Sequence, residues 1–149
     1  MKTPVDILVV DDDDGFWALV SHLVEEDELL STCATWRRLP DGQDALAYLA
    51  RESPYEDARA NPWPHLILMD NRMPRSTGTE IISRIKADPK TRAIPVCLVS
   101  SSNDRKQVRE AYEAGASFCI SKPLSLGELR TRLQKITEFF TDVAEPAHV

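Results

Sequence analysis

The sequence is poor in cysteine and has no long apolar run, and each scarcity excludes a class of protein. Its three cysteines, Cys33, Cys97 and Cys119, have no C-x-x-C spacing, which argues against a disulfide framework or a zinc site. We interpret them as buried, reduced thiols in a cytoplasmic protein. No apolar run approaches the length of a membrane span, and the first residues lack the apolar core of a signal peptide.

The sequence has no excess of positive charge, because 24 acidic residues outnumber 18 lysines and arginines. The net charge of −6 argues against direct binding to nucleic acid, which needs a basic patch. The 149 residues, 42% hydrophobic and 28% charged, have the composition and size of one globular domain. We therefore predict a single domain over residues 1–149, with its core at about 5–140 and a flexible tail over 141–149.

Strands and helices alternate along the sequence. Short apolar runs predict five strands, at residues 7–10, 33–39, 66–69, 95–99 and 118–120. Apolar residues at steps of three and four predict five helices, around residues 16–24, 45–49, 81–85, 108–112 and 126–140. This order implies right-handed crossovers and an α/β fold, a doubly wound five-stranded parallel sheet with helices on both faces. We interpret the proline-rich residues 53–64 as a surface loop.

Polar side chains follow four of these strands. In an open α/β sheet, ligands bind outside the carboxyl ends of the strands. The residues at these ends are Asp11, Asp12, Asp70, Ser100 and Lys122. Two carboxylates near 4 Å repel by roughly 4 kcal/mol at an effective dielectric of about 20, so such a cluster must protonate, pair with a cation or bind metal. Oxygen ligands favour a hard ion such as Mg²⁺.

A carboxylate, Mg²⁺, an ammonium and a hydroxyl together form a phosphoryl-transfer site. Asp70 stands alone on the central strand and best fits the nucleophile, which would become an aspartyl phosphate. Asp11 and Asp12 fit metal ligation. Lys122 offers a second cation, and Ser100 offers a hydroxyl donor to a phosphoryl oxygen.

Five motifs in order, each at a strand end, resemble the response-regulator receiver family of two-component signalling. They are Val9-Val10-Asp11-Asp12, Leu66-Ile67-Leu68-Met69-Asp70 with Met73-Pro74 and Gly78, Val99-Ser100-Ser101, Ala114-Gly115-Ala116 and Lys122-Pro123. The resemblance implies the flavodoxin-like receiver fold with strand order 2-1-3-4-5. It also implies a protein that is no enzyme beyond its own phosphorylation and dephosphorylation.

The resemblance also assigns roles to residues. It implies that Asp70 is the phosphoacceptor for a sensor histidine kinase, with Lys122 and Ser100 holding the phosphoryl group. It places Mg²⁺ on Asp11, Asp12, Asp70 and the backbone carbonyl of Arg72. It further implies a cis peptide bond between Lys122 and Pro123.

A closer resemblance is to the single-domain regulators paired with phytochrome-type histidine kinases. The features that carry it include Lys86-Ala87-Asp88-Pro89, Ile94-Pro95-Val96 and Ile136-Thr137-Glu138-Phe139-Phe140. It implies such a kinase as partner, and a downstream phosphotransfer protein or a homodimer as output. No DNA-binding output domain is expected, because the chain ends soon after the last helix.

The sequence departs from the family at one switch position. The family's aromatic residue in the fifth strand is here Cys119, and Phe118 beside it should point to the opposite face. We expect a weaker or different conformational response to phosphorylation. Arg72 and Ser102 occupy positions that in the family influence the dephosphorylation rate.

Two other functions fit parts of the sequence. The first is a non-phosphorylated pseudo-receiver that acts as a binding scaffold, which Cys119 slightly favours. The second is a haloacid-dehalogenase-type phosphatase, whose D-x-D-G signature can be read at Asp12, Asp14 and Gly15. Against it, Asp11 intervenes after the strand, and Met73-Pro74 would be unexplained.

Overall fold

The computed structural model describes residues 3–100, 104–123 and 125–145, so Ser101 and Ser102 lie outside the described residues. Its strands are β1 Val5–Val10, β2 Ala34–Leu39, β3 Leu66–Asp70, β4 Arg72–Met73, β5 Ser76–Thr77, β6 Val96–Ser100 and β7 Phe118–Ser121. Its α-helices are α1 Asp14–Glu26, α2 Glu28–Cys33, α3 Gly42–Leu49, α4 Gly78–Ala87, α5 Arg105–Ala114 and α6 Leu126–Glu138, followed by a π-helical turn, Phe139–Val143.

The five long strands form one parallel sheet in the order β2-β1-β3-β6-β7. This is the order 2-1-3-4-5 among the five predicted strands, and the predicted fold class is confirmed. The two short strands β4 and β5 pair with each other as an antiparallel hairpin between β3 and α4. That hairpin was not predicted, because each strand has only two residues.

The helix count differs from the prediction, since the structure has α2 in addition to the five expected helices. Asp27 separates α1 from α2: its backbone N–H bonds to Leu23 at the end of α1, and its side chain accepts from the N–H of Leu30 in α2. Gln134 of α6 also donates to the Asp27 carboxylate, at 2.6 Å. A helix of six residues is too short to give a periodic pattern.

The sheet is covered on both faces by separate apolar clusters. One cluster joins the sheet to α3, α4 and α5, and the other joins it to α1, α2 and α6. Every residue of β3 and β6 is buried, which explains their continuous apolar runs. Among the cysteines, Cys97 is buried but Cys33 and Cys119 are only half-buried, so the prediction of buried thiols holds for Cys97 alone.

The segments outside the core agree in part with the predictions made from the sequence. Residues 50–65 form the predicted loop without helix or strand, and Tyr48 Oη donates to the carbonyl of Pro62 within it. The π-helical turn extends through Val143, three residues into the segment predicted as a tail. Among the described residues, no helix is both long enough and apolar enough to cross a membrane.

Gly78 begins α4 where that helix touches the end of β3. A β-carbon at this position would lie 2.3 Å from the carbonyl oxygen of Asp70 and 3.0 Å from Cα of Asn71. Both are backbone atoms that cannot rotate away. We expect Gly78→Ala to lower the free energy of unfolding by about 2 kcal/mol or more. Gly127→Ala is the matched control, because nothing lies within 4 Å of its added β-carbon.

The two glycine variants should change stability in opposite directions. Gly127 is the second residue of α6, where alanine is the better helix former by up to about 1 kcal/mol, so Gly127→Ala should be slightly stabilising. Urea unfolding of both variants measures the difference. Equal stability of Gly78→Ala and the wild type would mean that α4 does not approach β3 this closely.

Candidate functional site

The predicted site residues lie at the carboxyl ends of neighbouring strands. The strand register pairs Val10 of β1 with Met69 of β3, and Asp70 of β3 with Val99 of β6. Asp11 therefore follows β1 at the same level of the sheet at which Asp70 ends β3. Ser100 pairs with Ser121 of β7, so Lys122 leaves β7 at this same edge.

The three carboxylates form a compact group. One oxygen from each of Asp11, Asp12 and Asp70 lies within 4.8 Å of the others. Asp11 and Asp70 are buried, at 1% and 5% exposure, and Asp12 is exposed. Carboxylates at this spacing must protonate, pair with a cation or bind a metal, and an all-oxygen donor set suits a hard divalent ion. The residues present therefore fit a divalent metal.

Asp70 has the most perturbed acid–base equilibrium in this group. Burial, and next the negative charge of Asp11, raise its pKa from 3.8 to about 7. Lys122 and a hydrogen bond from the backbone N–H of Arg72 act in the opposite direction and do not compensate. Without a metal ion, Asp70 thus binds a proton more readily than an exposed aspartate does.

Lys122 supplies a positive charge to the same group. Its Nζ lies 3.0 Å from Oδ2 of Asp11 and 3.7 Å from Oδ1 of Asp70. Burial opposes its charged form, but the hydrogen bond and charge of Asp11, together with the charges of Asp70 and Asp13, outweigh burial and raise the pKa of Lys122. Its backbone N–H donates to the carbonyl of Ser100, at 2.6 Å. The cis peptide bond among the described residues is Ser53–Pro54, so the cis bond expected before Pro123 is not found.

In the turn between β1 and α1, the four consecutive aspartates 11–14 differ from one another in their contacts. Asp11 Oδ1 accepts from the N–H of Asp13, and Asp13 caps α1 by accepting from the N–H of Phe16. Asp14 points away and pairs with Arg38 at 2.8 Å, with 90% of its side chain exposed. Because Asp14 lies outside the carboxylate group, the structure does not support the D-x-D-G interpretation.

Ser100 is buried at the end of β6, but its hydroxyl donates to Oε1 of Gln107, at 3.3 Å. Gln107 lies in the first turn of α5, and no motif in the sequence singles it out. The hydroxyl that was predicted to bind a phosphoryl oxygen therefore also contacts α5.

Arg72 adjoins Asp70 through its backbone. It opens β4 two residues after Asp70, and its backbone N–H acts to lower the pKa of the Asp70 carboxyl. The metal-binding role expected for its carbonyl stays a prediction.

The switch position carries Cys119, and its face agrees with the prediction. Cys119 packs on the cluster beneath α3, α4 and α5, whereas Phe118 packs on the opposite cluster. The backbone N–H of Cys119 donates to the hydroxyl of Tyr112, at 3.2 Å, and Tyr112 is 49% exposed. An aromatic ring thus reaches the switch position from α5 instead of from the strand.

Comparisons with known proteins agree with this geometry. A family model described as the response regulator receiver domain matches residues 7–134. The chain is 30% identical over 139 residues to a probable methanogenesis regulatory protein, FilR2, of Methanothrix harundinacea, covering 93% of this chain and 85% of that protein. It is 29% identical over 139 residues to the response regulator Rcp1 of a Synechocystis strain, covering 93% of this chain and 90% of that protein.

Solved structures are similar over nearly the whole chain. The phosphorylated cyanobacterial phytochrome response regulator RcpA superposes with a TM-score of 0.85 at 27% identity, covering 97% of this chain and 99% of that one. The Mn²⁺-bound form of Rcp1 superposes with a TM-score of 0.81 at 28% identity, covering 96% and 99%.

Proposed function

The chain belongs to the response regulator receiver family, which serves as phosphoacceptor in two-component signalling, and from that premise we propose that Asp70 is its phosphoacceptor. One observation carries the assignment. Asp70 is a buried carboxylate whose Oδ1 lies 3.7 Å from Lys122 and whose neighbours are the metal-competent Asp11 and Asp12. We further propose that residues 1–149 are a single receiver domain, with its core at about 5–140, that acts in the cytoplasm.

The reaction requires a nucleophilic carboxylate. An oxygen of Asp70 forms a bond to phosphorus while the phosphorus–nitrogen bond of a phosphohistidine breaks, and the electron pair of that bond leaves with the imidazole. The product is a mixed anhydride on Asp70. Lys122, whose ammonium already lies beside Asp70, pairs with a phosphoryl oxygen. This self-phosphorylation, and the later hydrolysis, are the catalysis we assign to a protein that is otherwise not an enzyme.

We assign a divalent cation to Asp11, Asp12, Asp70 and the carbonyl of Arg72, and propose Mg²⁺ as the ion. The relative Rcp1 has a Mn²⁺-bound form, and the three carboxylates here offer oxygen ligands of the kind that a hard divalent ion takes. When bound, the ion supplies positive charge that neutralises the phosphoryl oxygens. Asp11 and Asp12 orient the site without reacting themselves.

Ser100 links the reaction to the protein surface. Its hydroxyl is bonded to Gln107, and we propose that it turns to a phosphoryl oxygen after phosphorylation, which releases α5. Tyr112 lies on the same helix and contacts Cys119, so a change in α5 alters an exposed aromatic side chain. The face formed by α5, β7 and α6 then shifts its population toward an output state.

The partner in the reaction is a histidine kinase. We propose a phytochrome-type kinase, because the phytochrome response regulator RcpA superposes over nearly the whole chain. The output is a protein–protein contact, with a downstream phosphotransfer protein or a second copy of the chain, and involves neither nucleic acid nor membrane.

Incubation with acetyl phosphate and Mg²⁺, followed by intact-mass measurement, tests the assignment. The wild type should gain one phosphoryl group, and Asp70→Asn should gain none. Asp14→Asn is the matched control, because this aspartate faces Arg38, and it should be phosphorylated like the wild type. A wild type that gains nothing would favour the pseudo-receiver scaffold. Phosphorylation that survives Asp70→Asn would contradict the assignment of the phosphoacceptor.

A further inference from the structure

An aromatic ring lies against the lysine of the site. Nζ of Lys122 is 4.7 Å from the centroid of the Phe16 ring. We propose that Phe16 is a positioning residue whose ring holds the Lys122 ammonium beside Asp70 when Asp11 is engaged by a divalent cation. The inference rests on the proposed function, because it concerns the lysine of the same site.

The contacts of Lys122 explain why a second support is needed. Its nearest acceptor is Oδ2 of Asp11, at 3.0 Å, but Asp11 is also one of the three carboxylates that fit a metal ion. A carboxylate whose charge is shared with a divalent cation attracts an ammonium less strongly. Asp13 remains, but its Oδ2 is 4.0 Å away and its side chain is 55% exposed, so solvent screens that pair.

The ring of Phe16 differs from these carboxylates in two ways. An aromatic face attracts an ammonium through its quadrupole and has no carboxylate oxygen that a metal ion would take. It also leaves the N–H groups of the lysine free for phosphoryl oxygens. The cap of α1 sets the place of the ring, because the N–H of Phe16 bonds to Asp13. The turn that carries Asp11 and Asp12 therefore also presents the ring to Lys122.

The competing explanation is that Phe16 only fills space. It is half-buried and packs on the apolar cluster beneath α1, α2 and α6. A leucine would serve that purpose nearly as well, whereas it has no ring face for an ammonium. The two explanations therefore differ in what Phe16→Leu and Phe16→Tyr should do.

The first measurement is the initial rate of phosphoryl gain from acetyl phosphate with Mg²⁺. We expect Phe16→Leu to be roughly two- to tenfold slower than the wild type, and Phe16→Tyr, which keeps a ring, to stay close to it. Phe140→Leu is the matched control: it makes the same change in a residue that packs on the same cluster, and its rate should be unchanged. Equal rates for Phe16→Leu and the wild type would overturn the proposal.

The second measurement does not depend on phosphorylation. Side-chain protons of Lys122 next to Nζ should be shifted upfield in NMR spectra by the ring current of Phe16, both without and with Mg²⁺. The shift should vanish in Phe16→Leu and persist in Phe16→Tyr and Phe140→Leu. Loss of the shift when Mg²⁺ is added to the wild type would overturn the proposal, even if Phe16→Leu failed to fold.

The two measurements separate this inference from the proposed function. A wild type that shows the ring-current shift with Mg²⁺ but takes up no phosphoryl group would refute the phosphoacceptor assignment and leave Phe16 beside Lys122. A wild type that is phosphorylated on Asp70 without any such shift would refute the role of Phe16 alone.

Discussion

Asp70→Asn is expected to be more stable than the wild type at alkaline pH when no divalent cation is present. Burial and the charge of Asp11 raise the pKa of Asp70 from 3.8 to about 7, so the folded protein holds a proton that the unfolded chain has lost between these values. The stability of the wild type therefore falls as the pH rises through this window. Above about pH 7, the ionised carboxylate lowers the free energy of unfolding by roughly 2–4 kcal/mol. Asparagine carries no charge and removes this loss of stability.

Urea unfolding in EDTA at about pH 5 and about pH 8 measures this effect. The wild type should lose stability between the two pH values, and Asp70→Asn should lose clearly less. Glu25→Gln, which removes a charge from the exposed face of α1, is the control and should follow the wild type. An Asp70→Asn protein that is no more stable than the wild type at about pH 8 would mean that ionised Asp70 does not destabilise the fold.

Lys122→Met is expected to have the opposite effect on the cation-free protein. It removes the ammonium that lies 3.0 Å from Asp11 and 3.7 Å from Asp70, and both carboxylates are almost fully buried. Breaking a buried ion pair from one side costs about 3–5 kcal/mol, because the other charge is left without a partner. We expect a loss of this size at about pH 8, where Asp70 is ionised.

Mg²⁺ should restore most of the stability that Lys122→Met loses, because a divalent cation supplies the missing charge. Lys86→Met is the matched control. Lys86 is also partly buried, but its Nζ donates to the carbonyls of Arg92 and Ile94 and lies outside the carboxylate group. Mg²⁺ should not restore the stability that Lys86→Met loses. Equal rescue of both variants, or no loss in Lys122→Met, would contradict the electrostatic account of the site.

The sequence predicted the carboxylate group because chain direction alone determines where strand ends meet. Parallel strands place their carboxyl ends at one edge, so Asp11 and Asp70 had to converge once β1 and β3 were recognised as neighbours. The lysine followed from the same reasoning, because Lys122 leaves the edge strand β7 at that level. The continuous apolar runs of buried strands made these elements easy to identify.

The contacts made by helix side chains could not be predicted in this way. Phe16 was placed correctly on an apolar helix face, but nothing in the sequence connects it to Lys122 across more than a hundred residues. Gln107 and Tyr112 were missed as partners of Ser100 and Cys119, because those contacts depend on how α5 is rotated and how far it lies from the sheet. Helix α2 was missed because six residues carry no periodicity.

Chemical mapping of the phosphoryl group identifies directly whether Asp70 is the residue that accepts it. Protein phosphorylated with acetyl phosphate and Mg²⁺ is reduced with borohydride, which converts an aspartyl phosphate to homoserine, and is then digested and sequenced by mass spectrometry. We expect homoserine at position 70 and aspartate at positions 11 and 12. Homoserine at either of those two positions, or at neither them nor 70, would contradict it.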